Sequence, residues 1–168
     1  MGLRRKKKIP VYHSDTNHTV SNQYNYKKYD NNILIETFIK GREFSVGVVM
    51  YNNQIVVLPI TEIITSNDFF DYQAKYEGKS EEITPANLEN NLKIKLEETA
   101  KNIYKKLKIK GLSRSEFILK DNEFYFLEIN TVPGLSEESI LPQQSIQAGI
   151  PIDKLFSSTI YEAMANIN

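Results

Sequence analysis

Two tripeptides in the C-terminal half carry the strongest chemical signal, Arg114-Ser115-Glu116 and Glu128-Ile129-Asn130. They lie in two β-prone runs, Leu112–Lys120 and Glu123–Asn130, with the turn-forming pair Asp121-Asn122 between them. Side chains alternate along a strand, so Arg114 and Glu116 share one face, and Glu128 and Asn130 share one face. The other face of the second strand, with Tyr125, Leu127 and Ile129, is expected to lie on a core. A two-residue turn would set Glu116 against Leu127 and leave the acids on opposite faces. A three-residue loop, Asp121-Asn122-Glu123, sets Glu116 opposite Glu128 and Arg114 opposite Asn130. Such a loop needs a left-handed residue, which Asn and Asp supply. We expect this register, or a bulge equivalent to it. Two facing carboxylates destabilise a sheet unless a cation lies between them. Glu, Glu and Asn form an all-oxygen set that suits Mg²⁺. The competing reading is a solvated sheet edge with Lys or Arg counterions.

Other elements must hold this hairpin in place. Phe44–Tyr51 and Gln54–Ile60 are Val/Ile-rich runs separated by Asn52-Asn53, a second predicted hairpin. Ile33-Leu34-Ile35 with Phe38-Ile39 forms a further β-rich stretch. Leu88, Leu92, Leu96, Ala100, Ile103 and Leu107 recur at helical spacing, with Asn87 as cap and Gly111 as stop. Two more helices are expected, over about Ser139–Ala148 and from near Asp153, where Leu155, Ile160, Ala163, Met164 and Ile167 make an apolar stripe. Residues 65–86 lack a core-like pattern but carry Phe69-Phe70-Asp71-Tyr72 and Lys75-Tyr76. The predicted fold is α+β, a mostly antiparallel sheet flanked by helices.

Composition narrows the function classes. The 168 residues, 40% of them hydrophobic, suffice for one domain with a real core. With no cysteine, a thiol nucleophile, a disulfide framework and Cys-ligated metal are excluded. No apolar run approaches the roughly 18 residues of a membrane span. Ile9-Pro10-Val11 is no signal core, so a cytoplasmic protein without a membrane partner is expected. The 21 basic and 21 acidic residues cancel overall, yet Met1–Asp30 holds seven Lys/Arg against two Asp. The run Arg4-Arg5-Lys6-Lys7-Lys8 reads as a solvated tail, with no nucleic-acid partner expected. Residues 1–28 are thus a basic and polar leader and 29–168 the domain. His13 and His18 have no acidic cluster around them and are not expected to bind metal.

Several blocks together resemble a known family. Tyr29-Asp30, Ile33-Leu34-Ile35-Glu36, Gly41-Arg42-Glu43-Phe44, Phe70-Asp71-Tyr72-Gln73-Ala74-Lys75-Tyr76, Gly111, Arg114-Ser115-Glu116 and Leu127-Glu128-Ile129-Asn130-Thr131-Val132-Pro133-Gly134-Leu135 follow in the order found in D-alanine–D-alanine ligases of the ATP-grasp fold. Residues 29–168 resemble the C-terminal domain of those enzymes. The resemblance implies that Glu36, Thr37, Phe38 and Ile39 clasp adenine and that Glu43 holds the ribose. It places Glu116, Glu128 and Asn130 as ligands of Mg²⁺ or Mn²⁺. Arg114 would steady the transferred phosphoryl group, a role that suits a planar cation. Lys75 and Tyr76 would close over the reacting centre, and the N–H of Gly134 would donate to the developing oxyanion. Ser139 would bind the carboxylate of the second D-alanine, at a helix start that favours an anion; its other reading is a plain N-cap.

The implied reaction joins two D-alanines through an acyl phosphate, with ATP as substrate, for peptidoglycan precursors. Upstream of Tyr29 there is no Gly/Ser-rich phosphate loop. The 168 residues alone are therefore expected to be a poor or inactive ligase, with an exposed surface that favours self-association into a homo-oligomer. Another carboxylate–amine ligase of this fold, or an inactive nucleotide-binding module, are the alternatives.

Overall fold

The computed structural model describes residues 37–65 and 80–165. Residues 1–40 and 41–168 form two compact units. Of the first, Thr37–Lys40 is described and has no regular secondary structure, so no strand continues through Phe38-Ile39. The expectations for Ile33-Leu34-Ile35, Glu36, Lys75, Tyr76, Ile167 and the leader fall outside the described residues.

The second unit contains an antiparallel sheet of β1 (Arg42–Tyr51), β2 (Gln54–Val57), β3 (Thr61–Thr65), β4 (Ser80–Ile83), β5 (Leu112–Lys120) and β6 (Glu123–Asn130). Their order is β4-β3-β1-β5-β6, with β2 also paired to β1. The helices are α1 (Asn90–Lys106), α2 (Ile140–Gln147) and α3 (Ile152–Ala165). The antiparallel α+β arrangement expected from the sequence is therefore observed.

Both Asn-containing turns form as two-residue hairpins. Asn52 and Asn53 have φ of 49° and 62°, and Asp121 and Asn122 have 51° and 62°, the left-handed pair that matches strand twist. The β1–β2 hairpin is shorter than expected. It stops at Val57, where Leu58-Pro59-Ile60 interrupts the edge: Leu58 N still donates to the Gly47 carbonyl at 2.8 Å, but Pro59 has no N–H to give. The chain then rejoins β1 as β3, a strand the sequence reading did not separate, with Ser45 paired to Thr61. β4 adds to β3 and was likewise not foreseen.

Alternation on β1 sorts the core into two layers. Phe44, Val46 and Val48 pack with Phe117, Leu119 and with Leu96, Ala100 and Tyr104 of α1. Val49, on the opposite face, packs with Leu58, Leu112, Leu141, Ile150 and Leu155 beneath α2 and α3. The periodic leucines of α1 do face the core, except Leu107, which is exposed. Asn87 is not the cap. Glu89 holds that position without a side-chain bond, while the Asn87 carbonyl accepts from Arg42 Nη2 at 2.8 Å. The same guanidinium grips Glu62 through Nε and Nη2, at 2.7 and 2.8 Å, and this bond raises its pKa further above the ordinary arginine value.

Gly111 is not the stop of α1, which ends at Lys106 with Leu107 as its C-cap and Lys108 in the left-handed region at φ 53°. At φ 69° Gly111 accepts at its carbonyl from Tyr104 Oη (3.0 Å) and Met50 N (3.0 Å), and its N–H donates to Glu162 of α3 at 2.7 Å. Burial, with nearby Glu162, pushes the Tyr104 hydroxyl up to about 12. The stripe expected to bury α3 is only partly used. Leu155 is buried, but Ile160 and Met164 are exposed, as is Tyr161.

Candidate metal and nucleotide site

The β5–β6 hairpin reaches the expected pairing by the bulge and not by the longer loop. Near the turn the register is that of a two-residue hairpin, with Lys120 opposite Glu123 and Phe117 opposite Phe126. Leu127 is then an extra residue on β6, and beyond it Glu116 faces Glu128, Ser115 faces Ile129 and Arg114 faces Asn130. The bulge also corrects the expectation for β6. Phe124 packs against the core, and Phe126, though exposed itself, meets the buried Phe117 at a ring separation of 5.6 Å; Tyr125 and Leu127 are exposed and are not part of the core. Ile129 is half-buried.

Register across β1 places this site on the α2–α3 face of the sheet. Ser45 is the partner of Glu116 and Gly47 the partner of Arg114, and both belong to the face that carries Val49. Glu43, two residues before Ser45, shares that face and sits opposite Ile118. Tyr125 pairs with Ile118 in turn. The predicted ribose ligand therefore shares a sheet face with the predicted metal ligands, with Ile118 and Tyr125 between the strands. Sequence reasoning missed both, because Tyr125 was assigned to the core side.

Glu116 is buried, and its Oε1 accepts from Arg114 Nε at 2.8 Å and from Ser45 Oγ at 3.4 Å. Glu128 is exposed and makes no ion pair among the described residues. Arg114 thus neutralises one carboxylate of the facing pair and leaves a net negative charge. Asn130 Oδ1 accepts from Val132 N at 2.9 Å, which orients the amide oxygen and leaves its second lone pair. No group of three His, Cys, Asp or Glu placed to hold a metal ion occurs among the described residues. The donor set is two carboxylates and one amide oxygen, too few for an all-protein cage. It fits a hard cation that keeps waters and also binds substrate phosphate. The counterion reading is therefore met at Glu116 and not at Glu128.

The loop after β6 leads into α2. Ser139 occupies the N-cap position with extended backbone, yet its hydroxyl makes no cap bond; Oγ lies 2.9 Å from Ser136 Oγ. The plain N-cap reading is thus not realised. Gly134 lies against it, since a Cβ there would come within 2.7 Å of Ser139 Oγ. Gly134 and Ser139 are therefore brought together, as are Arg114, Glu116, Glu128 and Asn130. Thr37, Phe38 and Ile39 belong to the other compact unit, where Phe38 is exposed.

An open antiparallel sheet with helices beside it is the arrangement of the C-terminal domain of the ATP-grasp fold. The family model described as D-ala D-ala ligase C-terminus matches residues 15–161, and the chain belongs to that family. A D-alanine--D-alanine ligase of Flavobacterium johnsoniae is 58% identical over 138 residues, covering 82% of this chain and 43% of the relative. One from Petrotoga mobilis is 35% identical over 162 residues, covering 96% and 54%. Among solved structures, the Bacillus anthracis D-alanine--D-alanine ligase complexed with ATP superimposes with a TM-score of 0.64 at 28% identity, over 77% of this chain and 40% of that one. The VanG D-Ala:D-Ser ligase of Enterococcus faecalis gives 0.61 at 28% identity, over 74% and 36%. The chain thus spans only part of the length of its relatives, 43% of the first and 54% of the second.

Proposed function

We propose that this chain supplies the metal- and nucleotide-binding part of an enzyme that joins two D-alanines, using ATP. The facing of Glu116 and Glu128, with Arg114 opposite Asn130, carries this reading. Mg²⁺ or Mn²⁺, held by Glu116, Glu128 and Asn130, would neutralise the phosphates of ATP. Glu43 would hold the ribose, and Thr37, Phe38 and Ile39, with Glu36, the adenine. The carboxylate of the first D-alanine attacks the γ-phosphorus and ADP leaves, giving an acyl phosphate. The amine of the second D-alanine then attacks the acyl carbon, and phosphate departs.

The residues of this chain contribute position and charge. Arg114 engages Glu116 through Nε, and the Nη edge of its fork is the part suited to the phosphoryl oxygens. The Gly134 N–H donates to the tetrahedral oxyanion. Ser139 Oγ and the N-terminal amides of α2 receive the carboxylate of the second D-alanine. Lys75 and Tyr76 close the site. The work belongs to the cytoplasm, where ATP is supplied, and to peptidoglycan precursor synthesis. Among the described residues no helix is long and apolar enough to cross a membrane. The exposed Tyr125, Phe126, Leu127 and Val132 favour self-association.

The test is phosphate release from ATP with D-alanine and Mg²⁺, against a Glu128→Gln control. Release from the 168 residues is expected to be weak but above that control, with dialanine as the product. Release equal to the control removes the claim that the chain is an enzyme.

A further inference from the structure

A buried amide stands where the packing calls for an aliphatic residue. Gln144 of α2 is fully shielded from solvent, as is its neighbour Leu141. Its Nε2 donates to the Ser45 carbonyl on β1 and to Thr61 Oγ1 on β3, each at 2.9 Å. Thr61 Oγ1 lies 2.6 Å from Thr84 Oγ1. A carbonyl can only accept, so the contact with Ser45 fixes the amide with its nitrogen toward β1. Oε1 is left over Gly47, where an added Cβ would come within 2.5 Å of it. Buried Oε1 has no hydrogen-bond partner among the described residues, an arrangement that costs stability. A Met at this place would fill the volume without that cost, so packing alone does not account for the residue.

What Gln144 joins does account for it. Its helix begins directly after Ser139 and follows the loop that carries Gly134. On β1 it grips Ser45, the partner of Glu116, and it lies over Gly47, the partner of Arg114. One side chain therefore ties the Gly134–Ser139 segment to the strand that backs Arg114 and Glu116. We propose, resting on the ligase reading above, that Gln144 is a positioning residue. It sets the spacing between the segment that receives the second amino acid and the residues that hold the phosphoryl group. It touches neither reactant. A hydrogen bond to a backbone carbonyl is suited to this, because its length and direction are narrowly defined where apolar contact is not.

The experiment uses Gln144→Met, which conserves volume and removes the tether. Amide hydrogen exchange on the folded variant is expected to be about tenfold or more faster in residues 143–146, whose N–H groups close the first turns of α2, with α1 unchanged and the melting temperature equal or higher. Where the wild type turns over, KM for the second amino acid rises about tenfold or more and KM for ATP stays within about twofold. Thr61→Val, isosteric and losing one of the two bonds, shows the same effects more weakly, and decides the matter if Gln144→Met does not fold. Unchanged exchange in a folded variant overturns the proposal, as does an equal rise in both KM values. Exchange needs no turnover, so a wild type that releases no phosphate sinks the ligase reading and leaves this one decided on its own terms.

Discussion

Glu116 and Glu128 face each other across β5 and β6 because Leu127 is an extra residue between Phe126 and Glu128. With the two-residue turn at Asp121-Asn122 and no bulge at Leu127, these two acids would point to opposite faces. The bulge is therefore what assembles the site.

That pairing gives a prediction whose sign separates function from structure. Only one of the two acids is paired with Arg114. Glu128→Gln is expected to stabilise the ligand-free domain by about 0.2–1 kcal/mol, through loss of cross-strand repulsion. It should also abolish the thermal shift produced by ADP with Mg²⁺, which linkage makes measurable well above the dissociation constant. Loss of stability without ligand, with the shift intact, would show Glu128 to be a structural residue.

Gly134 lies where a methyl group would press on Ser139 Oγ. Gly134→Ala is expected to change stability by less than about 0.5 kcal/mol, because the Ser139 side chain is only half-buried and its hydroxyl can turn away. Turnover should fall if the reacting group approaches this N–H, because the added methyl group stands in its way although the donor itself is kept. Melting curves and steady-state rates on the same preparation check both halves.

The turn at Asp121-Asn122 holds two non-glycine residues at positive φ. Asn122→Gly removes the side-chain cost of that conformation and is expected to add about 0.5–1 kcal/mol to unfolding in urea. Asn122→Val should lose about 1–2 kcal/mol, since a β-branched residue resists the left-handed region.

Tyr104 predicts an alkaline limit to stability. The unfolded chain releases this proton near the ordinary tyrosine value of about 10, and the folded protein holds it to about 12. Above the lower value the unfolded state binds fewer protons, so stability from this group is complete below about 10 and lost as pH rises through about 12. Tyr104→Phe should be less stable at neutral pH, having lost the bond to Gly111, with a difference from wild type that shrinks across that window. Equal pH slopes for the two proteins would refute it.

Much of this was legible in the residues, and the gaps have physical causes. The leucine spacing of α1 and the Asn turns are local signals, and both formed. β3 was hidden because Leu58-Pro59-Ile60 reads as a continuation of an apolar run, although proline cannot extend the ladder. Tyr125 and Leu127 were assigned to the core by strict alternation, which a bulge breaks. The apolar spacing of α3 is real, but periodicity says only which residues share a face, and Ile160 and Met164 face outward. Gln144 left no pattern at all, since a polar residue on a short helix reads as surface.

β1 pairs with β2, β3 and β5. The contact between Ser45 and Glu116 spans 71 positions of sequence. The sheet's central pairing therefore closes a long loop before its own contacts can reward it, which slows folding relative to the local hairpins and helix. On the ribosome β1 waits, paired with β2 and β3 alone, until β5 has emerged. During synthesis its second edge is open to pairing with another chain.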